Sequence, residues 1–123
     1  MAAALGVAGA IAVTPTASAN PDGTTYAAVA YSPTTGKSRV VWNKATQLGA
    51  TNDAVAGCNA NGGSTDCLVA AQGNYCVSLA TDPNPNNNAP YSGGHGVTIE
   101  AADQMALAAG NSGFTIQAHH CND

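Results

Sequence analysis

The chain has 123 residues, of which 8% are charged and 5% aromatic, and its net charge is −4. That balance excludes a coiled coil and a basic nucleic-acid binder. The length allows one domain with a small core.

Residues 2–13 are apolar or small throughout and run into Ala17-Ser18-Ala19. That ending fits the small-x-small pattern before an export cleavage point, so residues 1–19 read as a signal peptide. No basic residue precedes Lys37, whereas an export signal normally opens with Lys or Arg; a start a few codons upstream of Met1 would account for this. The expected mature chain begins at Asn20, with 20–25 as a short lead-in and 26–121 as a single domain. After the leader no apolar run approaches the roughly 20 residues that cross a bilayer, so no mature transmembrane segment is expected. The reading is a protein secreted to the outside or to the cell envelope.

Within the domain, Tyr26–Tyr31 and residues 39–42 read as strands joined across Ser32-Pro33-Thr34-Thr35-Gly36, a hairpin. Thr46 is the candidate N-cap of a helix ending near Cys58, with Leu48, Thr51, Val55 and Cys58 on one face. Residues 67–71 form the next strand and 76–80 the one after it. The 82–91 segment, rich in Pro and Asn, is a long turn, and 95–97 is a short return strand. Thr98 caps a second helix over 99–109, whose first turns hold Glu100 and Asp103, where the helix dipole favours negative charge. Gly110-Asn111-Ser112-Gly113 stops it, and 114–118 is the last strand.

The two halves share this grammar. Residues 26–30 align with 76–80 at an offset of 50, while Thr46 aligns with Thr98, and 54–58 with 106–110, at an offset of 52. Offsets that change only inside turns are what a duplicated strand–strand–helix–strand unit would give. The fold expected is therefore α+β, with two helices packed on one antiparallel sheet.

Cys58, Cys67, Cys76 and Cys121 are even in number and fall in the exported region, which reads as two disulfides with three possible connectivities. Their gaps of 9, 9 and 45 residues do not suit zinc. The repeat selects Cys58–Cys67, a staple across the glycine-rich connection after the first helix. Gly110 stands where the second half would need a partner for such a staple. Cys76 and Cys121, at equivalent ends of the halves, then pair and join them. On the chain-entropy estimate the short loop contributes about 2.7 kcal/mol and the long one about 4.

Residues 26–32, the Ala-containing helix ending at Cys58, and the stretches 67–71, 76–80, 98–108 and 118–121 together resemble the DUF4189 family, a domain of unknown function. The resemblance spans residues 26–121. It implies a small exported bacterial protein, as in many actinobacterial members, and carries no activity or catalytic set. The chain departs from the family where Val41-Trp42 and Gly93-Gly94-His95-Gly96 replace longer Gly-aromatic stretches, and where residues 47–53 replace an Ala/Glu-rich helix start.

Four groups of residues invite a chemical reading. His119-His120-Cys121 suggests a metal, but neighbours on a strand point to opposite faces and Cys121 is expected to be oxidised, so no metal is assigned. Glu100 and Asp103 share a helix face and with a histidine make a candidate acid–base pair for a small secreted hydrolase. Lys37, Arg39 and Lys44 hold all the positive side-chain charge, too little for nucleic-acid affinity at physiological salt. The 82–91 segment, with Asp82, Asn84, Asn86 and Tyr91, is the candidate recognition loop. No nucleophile elbow, P-loop, zinc-protease or dinucleotide motif is present. The reading that follows is a non-enzymatic binding or interaction domain without cofactor, its partner an outside protein or an envelope component. The small hydrolase is the alternative.

Overall fold

A strand buried on both faces needs cover on both, and the chain has two of these. A computed structural model describes residues 25–83 and 90–122. In it, β1 (Tyr26–Tyr31) is buried at all but its first position and β4 (Cys76–Thr81) at every position. Each is the central strand of its own sheet. β1 pairs antiparallel with β2 (Ser38–Lys44) and β3 (Leu68–Gly73), and β4 pairs antiparallel with β5 (Tyr91–Gly96) and β6 (Thr115–Cys121). The single sheet expected from the sequence is thus two sheets of three strands, each closed within one repeat.

The two sheets pack face to face, β2 against β6 and β3 against β5. Ala27, Val29 and Tyr31 alternate inward to meet Val77 and Leu79 of the other sheet. The outward alternates take the helices. Ala28 and Ala30 lie under α1 (Gln47–Gly62), while Cys76 and Ala80 lie under α2 (Ile99–Ala109). The layers run helix, sheet, sheet, helix. The duplication reaches irregular detail, because β1 shifts register against β3 between Val29 and Ala30, and β4 shifts against β6 between Leu79 and Ala80.

Both helices start where expected, with Thr46 Oγ1 accepting from Gly49 N and Thr98 Oγ1 accepting from Ala101 N. The face of α1 differs from the expectation. Ala50, Ala54 and Cys58 are buried, whereas Leu48 is 68% exposed. Small side chains turn inward because the helices lie almost on the strands. A Cβ added to Gly94 would stand 2.2 Å from Ala102 O and 2.4 Å from Ala106 N. On the other face of the same strand, a Cβ on Gly93 would reach within 1.8 Å of Ala70 O, so the sheets meet there backbone to backbone. α1 also runs four residues beyond Cys58, ending at Gly63 in the left-handed conformation (φ 65°). β5 covers 91–96 rather than 95–97, leaving Val97 outside it and exposed.

Both expected disulfides form, Cys58–Cys67 and Cys76–Cys121. The second does not join the halves. β3 ends at Gly73, and Cys76 opens the second repeat, directly opposite Cys121 on the neighbouring strand. The leader reading over residues 1–19 and most of the lead-in lie outside the described residues.

Candidate functional site

Ser78 of β4 and His119 of β6 are register partners on the sheet face under α2. One turn into that helix, Asp103 reaches down between them. Ser78 Oγ–H donates to Asp103 Oδ1 at 2.5 Å, and His119 Nδ1 lies 2.9 Å from the same oxygen and 3.2 Å from Oδ2. Ser78 is fully buried. This serine, aspartate and histidine are joined in an order that makes no nucleophile. The carboxylate sits in the middle and itself accepts the serine hydrogen bond, while the imidazole meets the carboxylate and not the serine oxygen. A nucleophilic serine needs the imidazole against its own oxygen. What remains is a carboxylate–imidazole pair that could orient a base, resting on a buried hydroxyl.

The sequence pairing of Glu100 with Asp103 is split. Glu100 stays exposed in the first turn of α2 while Asp103 turns to the sheet. The two histidines do point opposite ways. His119 faces α2, and the His120 ring stacks on Trp42 of the other sheet at 3.8 Å between centroids. Among the described residues no group of three metal-binding side chains converges. The basic residues lie along α1. Lys44 Nζ is 2.9 Å from Asp53 Oδ2, and the Arg39 and Lys37 side chains pass over Gly57 and Gly62.

Of the candidate recognition loop, Asn84 and Asn86 lie outside the described residues. Its base is anchored. Tyr91 is the first residue of β5, pairs with Thr81, and holds its ring 5.1 Å from that of Tyr31. Asp82 N–H donates to Pro90 O at 3.4 Å. Burial raises the Tyr31 phenol above its ordinary pKa.

Two polar constellations had no signal in the residue pattern. In the first repeat, Ser32 Oγ–H donates to Asp66 Oδ1 (2.5 Å), and Thr34 donates to Oδ2 through its hydroxyl (2.5 Å) and its N–H (3.2 Å). The Ser32 and Thr34 hydroxyls hold the Asp66 carboxyl below the usual carboxylate range. Near the C-terminus, Asn122 is fully buried. Its Nδ2 donates to Asn74 O (2.7 Å) and Thr25 O (3.1 Å), and its Oδ1 accepts from Asn43 N (2.7 Å). Asn43 has φ 60°, a conformation Asn tolerates better than most residues. One amide thus ties β2, the β3–β4 turn and the chain entry together.

A cleft of about 570 Å³ opens where the end of β3, the start of α1 and the end of β5 meet. Tyr26, Gln47, Gln72, Asn74, Tyr75 and His95 supply its polar and aromatic wall, and no Asp, Glu, Lys or Arg lines it. A shallower hollow of about 470 Å³ adjoins it, sharing Gln47 and Gln72 and adding Leu48, Thr51 and Val69.

Residues 26–121 match the family described as Domain of unknown function (DUF4189). The chain belongs to the DUF4189 family. No curated protein matches it. Among solved structures, this DUF4189 domain is similar to the NMR structure of Rv1813c from Mycobacterium tuberculosis, at 27% identity and a TM-score of 0.61. The alignment covers 90% of this chain and 80% of that one.

Proposed function

We propose that this DUF4189 domain is exported after cleavage before Asn20 and acts as a non-catalytic binding module on an envelope component or an outside protein. The observation that carries the non-catalytic part is the wiring of Ser78 into Asp103, which spends the one buried hydroxyl at that carboxylate on structure. Two disulfides suit an oxidising compartment. Among the described residues no helix is long and apolar enough to cross a membrane. In this reading the 82–91 segment makes the partner contact, its base fixed by Tyr91 on Tyr31. Replacing residues 84–89 with a short Gly/Ser turn should leave the melting temperature nearly unchanged and weaken capture of the domain by envelope fractions.

A second reading keeps the Asp103–His119 pair as an oriented base with Glu100 nearby on α2. The two readings separate on one experiment. If the carboxylates are structural, Asp103→Ala costs about 1–3 kcal/mol by stranding the Ser78 hydroxyl, Glu100→Ala costs about 0.3–1 kcal/mol through the helix dipole, and a hydrolase panel finds no turnover. Turnover that His119→Ala abolishes at unchanged stability would establish the hydrolase instead.

A further inference from the structure

Lys44 is paired with Asp53, whereas Lys37 and Arg39 have no carboxylate partner among the described residues. Both side chains nevertheless lie in set places. Arg39 crosses α1 at Gly57, where an added Cβ would stand 3.1 Å from its Cγ and Nε. Lys37 crosses at Gly62, where an added Cβ would stand 2.9 Å from its own Cβ. Glycine inside a helix is destabilising relative to alanine, so Gly57 weakens α1 at the point where the arginine lies on it. The second repeat is the control. Ala30 pairs with Arg39 and Ala80 with Ser92, so Ser92 is the equivalent strand position, and the residue equivalent to Gly57 is Ala109. Ser92 is short and donates to Ala106 O of its own helix. One repeat thus has a self-bonded serine beside alanine, and the other a long cation laid on glycine. We infer that Arg39 and Lys37, seated on α1, form a docking surface for an acidic segment of a partner protein. It belongs to the first repeat and goes beyond the contact proposed for the 82–91 segment of the second.

Two structural roles fall short of explaining the pair. A cation near a helix C-terminus complements the dipole, but that effect fades within the last turn. Lys37, over the final residue of α1, fits that role; Arg39, over a residue five positions earlier, does not. Charges on an edge strand deter aggregation, and β2 is an edge strand. An edge guard, however, works from any exposed rotamer and needs no glycine beneath it. What remains is an exposed guanidinium whose donors meet no acceptor among the described residues.

Chemistry and spacing select the partner. A guanidinium takes a carboxylate through two parallel hydrogen bonds. A second cation two residues away matches the period at which an extended chain presents side chains on one face. β2 offers such a chain an edge, since it pairs only with β1. The opposite edge, β3, is covered where Gly93 lies against the Ala70 carbonyl. An acidic strand added along β2 sets alternate carboxylates beside Arg39 and Lys37. The net charge of −4 repels a long polyanion beyond this face, which favours a short acidic segment.

The test is an amide NMR titration of the oxidised mature protein, at low salt, with a short peptide of alternating Glu and Thr. Shifts should centre on residues 37–42 and 57–62, and salt at about 0.5 M should abolish them. A peptide of alternating Gln and Thr should give none. Arg39→Gln, which keeps a stem on Gly57, should weaken binding about tenfold at an unchanged melting temperature. Gly57→Ala should weaken it severalfold while the melting temperature holds or rises, because alanine suits the helix and displaces the arginine. The 84–89 replacement should bind the peptide as before, which keeps this surface separate from the 82–91 contact. Equal shifts with the neutral peptide, or full affinity in Arg39→Gln, would overturn the inference. So would binding of polyphosphate or an acidic polysaccharide but not the peptide, or a melting temperature that falls in Arg39→Gln, which would make the guanidinium a structural group.

Discussion

The two repeats close the same corner by different means. In the first, α1 ends beyond Cys58, and a disulfide to Cys67 ties the helix to the strand that follows. In the second, α2 stops at Ala109, and the position equivalent to Cys58 is Gly110. There the ring of Phe114 fills the gap, so close that a Cβ on Gly110 would stand 2.2 Å from Cδ2. A covalent link and a ring seated on a glycine do the same job. The difference follows from helix length: the sixteen residues of α1 leave a connection through Gly63 to span, while the eleven of α2 let the chain turn straight back.

That comparison can be broken from either side. The largest effects should come from the disulfides. Replacing Cys76 and Cys121 together by Ala should lower stability by about 4 kcal/mol, and replacing Cys58 and Cys67 together by about 2.7 kcal/mol, in urea unfolding. The second pair should also speed amide exchange around residues 57–67 while the second repeat keeps its protection. A fall of equal size everywhere would show that the staple is not local.

Next comes the non-covalent corner. Gly110→Ala should cost about 1–3 kcal/mol, since the new methyl meets the Phe114 ring. Its effect should shrink in Phe114→Leu, where the ring no longer fills the space. Additive losses in the double variant would place the strain elsewhere.

The smallest effect is a pH dependence of the first repeat. Asp66 has a folded pKa below its unfolded one because Ser32 and Thr34 donate to the carboxylate. Its contribution is therefore present above the unfolded carboxylate pKa of about 3.9 and is lost as pH falls through the lower folded value. Asp66→Asn should flatten that acid limb by lowering stability near neutrality, while stability at pH below the folded value stays little changed. A limb that stays equally steep would move its origin to other carboxylates.

How far the residues themselves disclosed this architecture depended on whether a pattern had one physical meaning. The threonine caps and the strands at 26–31 and 76–80 each had one, and they fell where expected. The offset of 52 did more than align helices. It put Ala50, Ala54 and Cys58 over Ala102, Ala106 and Gly110, the small residues that let both helices approach their strands. Leu48 misled, because apolar size suggested a core side chain where close packing admits only alanine. Two sheets instead of one could be seen in β1 and β4, which carry apolar residues on both faces, but only if that pattern is taken to require two covers. The site was least legible. Asp103 looked like a dipole partner, and only the strand register set Ser78 and His119 beneath it. Asn122, the second residue from the end, has no motif at all, since its three partners come from sequence positions 48 to 97 residues away.

The face-to-face packing of the sheets bears on how such a fold could have arisen. A single repeat, ending near Asn74, would carry an uncovered inner face of Ala27, Val29, Tyr31 and Ala71. In this chain the second repeat shelters that face with Val77 and Leu79, the arrangement a homodimer of single repeats would also give. Joined through the two residues between β3 and β4, the two repeats meet at an effective concentration of millimolar or more, and their assembly no longer depends on how dilute the protein becomes. Fusion also freed the copies to diverge. One kept a cysteine at the end of its helix and the other a glycine, and any site where the halves meet need not be made twice.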